Sequence, residues 1–203
     1  MTPRRGLPLA AASLFCLRTS QRCKSVTKHT EAGDPFTSAQ AKASVTSSWD
    51  PINPPPIDGL VLTDVKNVVY KSGVLTEVYR SEWFEDFPVR HIIHVSLVAG
   101  ETTQWHCHKR QRDIIFPIRG QIRIGFFDSR PDSPTNGKGC VLNFNLHRPR
   151  YIDVPPGVWH SLKNVSPSEE AAYIVVNDIV YEYDEPDDWT LTKDAPEIPV
   201  SLD

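Results

Sequence analysis

The chain lacks any Cys-x-x-Cys pair: its four cysteines, Cys16, Cys23, Cys107 and Cys140, are widely scattered. Usage this sparse fits a reduced compartment rather than a disulfide framework. It also lacks a long apolar run. The one apolar stretch near the start, residues 7–17, is far too short to span a bilayer. Residues 1–30 contain no acidic side chain against six basic ones, and no clear small-x-small cleavage site follows the apolar stretch. Strong net charge is missing as well: the formal value of −3 gives no reason to expect nucleic acid or an anionic membrane as partner. Helical periodicity is almost absent.

What is present points to strands. Eighteen prolines and ten glycines among 203 residues, with abundant Val, Ile and Thr, favour a β-rich fold with many turns. Residues 1–56 read as a leader and linker. The basic start is either a signal or transit sequence, or a disordered leader or translated sequence upstream of the true start. Residues 31–56 are rich in Ala, Ser, Thr and Pro and end in Pro-Pro-Pro, a flexible segment stiffened at its end. The expected localisation is cytoplasmic, or organellar or exported if the leader is a targeting segment.

From Ile57 the pattern predicts short strands over 61–70, 74–80, 91–99, 114–118, 121–127, 141–146, 151–154, 159–165 and 171–176. Turn residues such as Lys71-Ser72-Gly73 and Arg119-Gly120 separate them. The acidic, proline-punctuated tail 181–203 is expected to wrap the surface. Many short strands with regular turns predict an all-β jelly roll over 57–203.

Chemistry concentrates in two stretches. In GETTQWHCHKRQRDIIFPIRG, residues 100–120, His106 and His108 are two apart and so project from one face of a strand, while Cys107 points the other way into packing. In PPGVWHSLKN, residues 155–164, His160 follows a Pro-Pro-Gly turn that starts a strand. Three imidazoles and the Asp113 carboxylate are thereby expected around one cavity. His91, His94 and His147 read as structural.

The spacing Gly100-x5-His106-x-His108-x4-Asp113-x6-Gly120, followed by Pro155-x-Gly157-x-x-His160-x-x-x-Asn164, resembles the two motifs of the cupin superfamily. Asp113 stands where those proteins usually carry Glu, and Pro149 where a glycine opens the second motif. The segment 128–138, DSRPDSPTNGK, resembles the D-x-R-x-x-S-P-T-F-G-K stretch of dTDP-4-dehydrorhamnose 3,5-epimerases. Ile57-Asp-Gly59 and Gly73-Val-Leu-Thr-Glu77 are similar to further pieces of that family. His106-x-His108-Lys109 with Pro155-Pro-Gly-Val-Trp159-His160 also resembles the dTDP-sugar 3,4-ketoisomerases.

The resemblance implies a cupin-type double-stranded β-helix barrel that acts without a metal on a 4-keto-6-deoxy nucleotide sugar, commonly as a homodimer. It places His106 on the catalytic base and Tyr173 on the proton donor, with Glu77 at a substrate-pocket carboxylate. His108 or Lys109 is then expected to polarise the ketone in place of the family's lysine, which falls on Asp113. His160 or an acid near Asp178 is expected to orient the base. Lys109 also belongs to a run, 109–112, that reads either as a solvated loop or as a pyrophosphate-binding edge. Arg123 points either into the cavity or to water. Two of the family's arginines are Ser72 and Thr103 here, which sets this chain apart at the phosphate-holding positions.

A second chemistry fits the same residues. His106, His108, Asp113 and His160 are ligand types that hold Fe, Mn, Ni or Zn, giving a metal-dependent dioxygenase or isomerase. A non-catalytic sugar-binding cupin is the third reading.

Overall fold

Twelve strands arise from these alternating segments in a computed structural model, which describes residues 41–50, 55–84 and 86–203. They are β1 (Val61–Asp64), β2 (Asn67–Tyr70), β3 (Gly73–Thr76), β4 (His91–Leu97), β5 (Trp105–Cys107), β6 (Asp113–Arg119), β7 (Gln121–Asp128), β8 (Gly139–Asn145), β9 (Arg150–Val154), β10 (Val158–Asn164), β11 (Ala171–Asn177) and β12 (Trp189–Leu191). A single 3-10 turn, Ser81–Trp83, is the one helical element among the described residues. Residues 1–40 and 51–54 of the expected leader and linker lie outside the described residues.

Two five-stranded antiparallel sheets face one another, in the orders β1-β9-β6-β11-β4 and β12-β5-β10-β7-β8, while β2 and β3 form a separate hairpin. Between the sheets pack Ile115, Ile152 and Tyr173 from the first and Ile122, Ile124, Phe126 and Leu162 from the second. The pattern of β7 explains its orientation: Ile122, Ile124 and Phe126 are fully buried, and Arg123 between them faces outward.

Strand β6 does not alternate, because both of its faces are covered. Ile115 enters the inter-sheet core, while Ile114 and Phe116 meet Phe84, Phe87 and Tyr151 on the outer side of the sheet. A strand sandwiched in this way reads as a continuous apolar run. Phe84 and Phe87 come from the segment after β3, and this strand ends at Thr76 rather than continuing to Arg80 as predicted.

The predicted strand 61–70 also breaks in two. The Val65 N–H donates to the Pro149 carbonyl (2.9 Å), but Pro149 has no N–H to return the bond, so the ladder ends and β2 turns away to pair with β3.

Three sets of polar contacts tie loops to the two sheets. Asp128, with no exposed surface, accepts hydrogen bonds from Arg130 Nε (2.8 Å), Ser133 Oγ (2.6 Å) and Thr135 Oγ1 (2.6 Å). Arg130 also donates to the Asp58 carbonyl (2.6 Å) and so ties in the start of the domain. The S-P-T-x-G-K segment is thus a folded hub. Gly157, at φ +80°, lies so close to Arg130 that a Cβ would sit 2.5 Å from its Cγ, and its N–H donates to the His108 carbonyl (2.7 Å). Buried Asn164 donates to the carbonyls of Leu97 (3.1 Å) and Glu169 (2.7 Å), locking the loop before β11.

The tail does more than wrap the surface. It supplies β12, whose Trp189, Thr190 and Leu191 pair with Cys107, His106 and Trp105. Beyond it, Ile198 and Leu202 are buried, and Val200 sits so close to Gly139 that a side chain there would overlap it. Among the described residues, no helix is long and apolar enough to cross a membrane.

Candidate active site

A cavity of about 220 Å³ opens between the sheets, lined by His106, His108, Asp113, His160 and Tyr173 among others. Its polar groups come from strands of both sheets. β5 and β10 bring His106 and His160 into direct register, and β6 and β11 bring Asp113 opposite Asn177 and place Tyr173 opposite Pro117. The side chains point inward because their neighbours Trp105, Cys107 and Trp159 take the other face.

Asp113 is the hub, only 4% exposed. Its Oδ2 lies 3.2 Å from His108 Nε2 and 3.5 Å from His160 Nε2. Its Oδ1 accepts from Gln111 Nε2 (2.8 Å) and Asn177 Nδ2 (2.7 Å). Burial pushes this carboxyl up, but the two imidazoles outweigh it and hold the group well below the usual carboxylate range. The Asn177 Oδ1 is buried without a hydrogen-bond partner among the described residues.

The two histidines of β5 and its edge are held in opposite states. Burial pulls the His108 imidazole down, but Asp113 and the Asp187 carbonyl, 2.5 Å from Nδ1, override it and push it up to about 9. With an acceptor at each nitrogen, His108 is an imidazolium at neutral pH. His106 is lowered, first by burial and then by the charge of His160, against the opposing pull of Asp188. Its Nδ1 lies 3.4 Å from Asp188 Oδ1, so the neutral ring carries its proton there and leaves Nε2 as a lone pair. From the opposite sheet, burial and then the Asp113 charge push the Tyr173 phenol up to about 12. It is a neutral O–H donor, and it makes no hydrogen bond to another described residue.

The sequence-predicted residues divide accordingly. His106, His108, His160, Asp113 and Tyr173 meet in the cavity. Three expected substrate-binding residues do not. Glu77 pairs with Arg80 (3.3 Å) beside Trp83 and Tyr151, because the chain after β3 crosses the outer face of the first sheet. Lys109 places its ammonium 3.6 Å above the Trp189 ring. Arg123 donates to Asn143 Oδ1 (3.2 Å) and the Leu202 carbonyl (2.8 Å) on the outer face of its sheet. The expected pyrophosphate edge is also spoken for: the N–H groups of Lys109, Arg110 and Gln111 already bind the Asp187 carboxylate.

The four-ligand metal set contracts. His108, Asp113 and His160 offer ligand atoms within 4.8 Å of one another, while His106 is drawn away toward Asp188. His91, read as structural, lines the cavity instead. Asp187 and Asp188 escaped the sequence reading, as did the role of Asn177.

These features define a two-sheet jelly roll with an acid–base cavity between its sheets. No protein-family model matches the chain. It is 29% identical over 136 residues to the probable low-salt glycan biosynthesis epimerase Agl13 of Haloferax volcanii, covering 66% of this chain and 86% of that protein. Among solved structures, it is similar to a dTDP sugar isomerase from Desulfovibrio desulfuricans, with TM-score 0.68 at 20% identity over 73% of this chain and 94% of that one. It is also similar to dTDP-4-dehydrorhamnose 3,5-epimerase from Elizabethkingia anophelis, with TM-score 0.61 at 17% identity over 73% and 84% of the two chains. The expected jelly roll is therefore present: this chain has the fold of these two structures.

Proposed function

We propose that the protein is an epimerase or isomerase of a 4-keto-6-deoxy nucleotide sugar, working by proton abstraction beside the ketone. The observation that carries this is a neutral His106 backed by Asp188 on one sheet and a protonated, unengaged Tyr173 on the other. His106 Nε2 takes the α-proton as the C–H electrons move into the enolate. His108, a fixed cation, stabilises the developing oxyanion. Tyr173 then returns a proton to the opposite face, and solvent resets both groups. The names of the Haloferax relative and of the two structures support the same reaction class.

The test is deuterium uptake at C3 or C5 of a dTDP-4-keto-6-deoxyhexose in D2O, abolished in His106→Ala. Migration of the ketone to C3 identifies a ketoisomerase; tight binding with neither reaction identifies a binding module. The exposed apolar hairpin β2–β3, with Val69 80% and Leu75 63% accessible, supports a homodimer, which light scattering checks.

A metal-dependent reaction is the second reading. His108 and His160 both place Nδ1 on a backbone carbonyl, that of Asp187 and of Val158 (3.2 Å). Such bonds orient the rings and leave each Nε2 free to face a metal beside Asp113. In this reading those three residues would hold a divalent Fe, Mn, Ni or Zn, which would supply a Lewis acid for the substrate oxygen. Stoichiometric metal in the purified protein, lost in His108→Ala, selects it.

A further inference from the structure

We propose that Asp187 is the positioning residue of this cavity, a clamp that joins the C-terminal strap to the turn after β5 and so sets Asp188 on His106. The proposal rests on the reading of His106 as the base.

Asp187 makes four contacts with one short stretch of chain. Its carboxylate Oδ1 accepts from the Lys109 N–H (3.0 Å), and Oδ2 accepts from the N–H groups of Arg110 (2.7 Å) and Gln111 (2.9 Å). Its carbonyl accepts from His108 Nδ1 (2.5 Å). Three successive backbone N–H groups converging on one anion form a nest, a concavity that ordinarily binds phosphate or another free anion. Here the nest is filled by the protein itself, from a point 76 to 78 residues further along the chain.

That placement has a consequence on each side of the residue. On the turn side, the clamp holds the segment from His108 to Gln111, whose amide in turn donates to Asp113 Oδ1 (2.8 Å). On the strap side, the next residue is Asp188, the carboxylate against His106, and the one after it opens β12. The strand β12 has only three residues and pairs on one side only. Three residues of edge pairing give little purchase for aligning a carboxylate on an imidazole. The Asp187 clamp provides the anchor before the strand, and the buried Ile198 and Leu202 provide the one beyond it.

The clamp also has a directional logic. A carboxylate that accepts three N–H groups is strongly favoured in its charged form, and Asp187 is accordingly held below its ordinary value; burial opposes this, and the backbone N–H groups of Gln111, Lys109 and Arg110 prevail. It therefore stays closed across the neutral range, and the site it braces is pre-organised before substrate arrives.

The experiment compares Asp187→Ala, Asp187→Asn and Asp187→Glu in the full chain. Three readouts apply: amide hydrogen exchange at residues 109–111, the ring 15N shifts of His106 at pH 7, and deuterium uptake into a dTDP-4-keto-6-deoxyhexose. In Asp187→Ala the three amides lose protection, the His106 ring passes from one Nδ1–H tautomer to a mixture, and kcat falls about 10²-fold with KM little changed. Asp187→Glu recovers part of each, and Asp187→Asn falls between. If Asp187→Ala does not fold, the Asn and Glu variants carry the same three readouts.

Unchanged amide protection, or an unchanged His106 tautomer in a folded Ala or Asn variant, overturns the proposal. If the wild-type protein exchanges no deuterium, the proposed reaction fails. The amide and ring readouts, which need no substrate, still decide the clamp.

Discussion

Asp113 and Asp128 are the two most instructive carboxylates in the molecule, and they differ in what surrounds them. Both are buried, and both are held below the carboxylate range although burial pushes each of them up. Asp128 is neutralised by Arg130, with Ser133 and Thr135 completing its bonds. A guanidinium does not release its proton in water, so this knot has one state. Asp113 is faced instead by His108 and His160. An imidazolium, unlike a guanidinium, can give up its proton in water, so this cluster is able to change state. One aspartate builds the wall and the other organises the reagents.

The comparison can be broken, starting with the largest effect. His106→Gln, beside the responsive cluster, is expected to lower the rate of deuterium uptake by about 10²–10⁴-fold, while the melting temperature stays near that of the wild type. A large loss of stability instead would make this region structural too. Asp128→Ala is expected to do the reverse. It leaves Arg130 unpaired and costs about 3–5 kcal/mol in urea unfolding, with activity lost only as the fold is lost.

Acid gives a further test of the Asp128 knot. The folded state holds Asp128 below its unfolded value of about 3.9. Its stabilisation is thus complete above that pH and fades as the pH falls below it. Asp128→Asn is expected to flatten that acid limb in a pH series of denaturation curves. An unaltered limb would show that other carboxylates govern acid unfolding.

The smallest effect belongs to the turn that joins the two regions. Gly157→Ala places a side chain at φ +80° against Arg130. It is expected to cost about 1–2 kcal/mol, read as a lowered urea midpoint. No loss there would mean that Arg130 yields freely.

The same contrast marks what was legible in the sequence. The i, i+2 spacing of His106 and His108 and the answering His160 announced the cavity, because strand geometry turns that spacing directly into a shared face. Alternation also placed Ile122, Ile124 and Phe126 inside, and it is the same rule that turns Arg123 outward. Asp188 was not legible. It lies 82 residues from His106, in a tail whose run of acids resembles a solvated surface. The strand that carries it into place is too short to show a period. Glu77 and Lys109 matched a family pattern by position, but local packing against Arg80 and Trp189 decided where they point.

The thiol directly behind His106 gives the protein an internal clock. Cys107 is buried beside the last strand, paired with Trp189, and burial pushes it up to about 12. An alkylating reagent near neutral pH therefore meets neither an exposed nor an ionised sulfur. Its rate of capture at that position counts how often this face of the sheet opens, with no need to know the sugar.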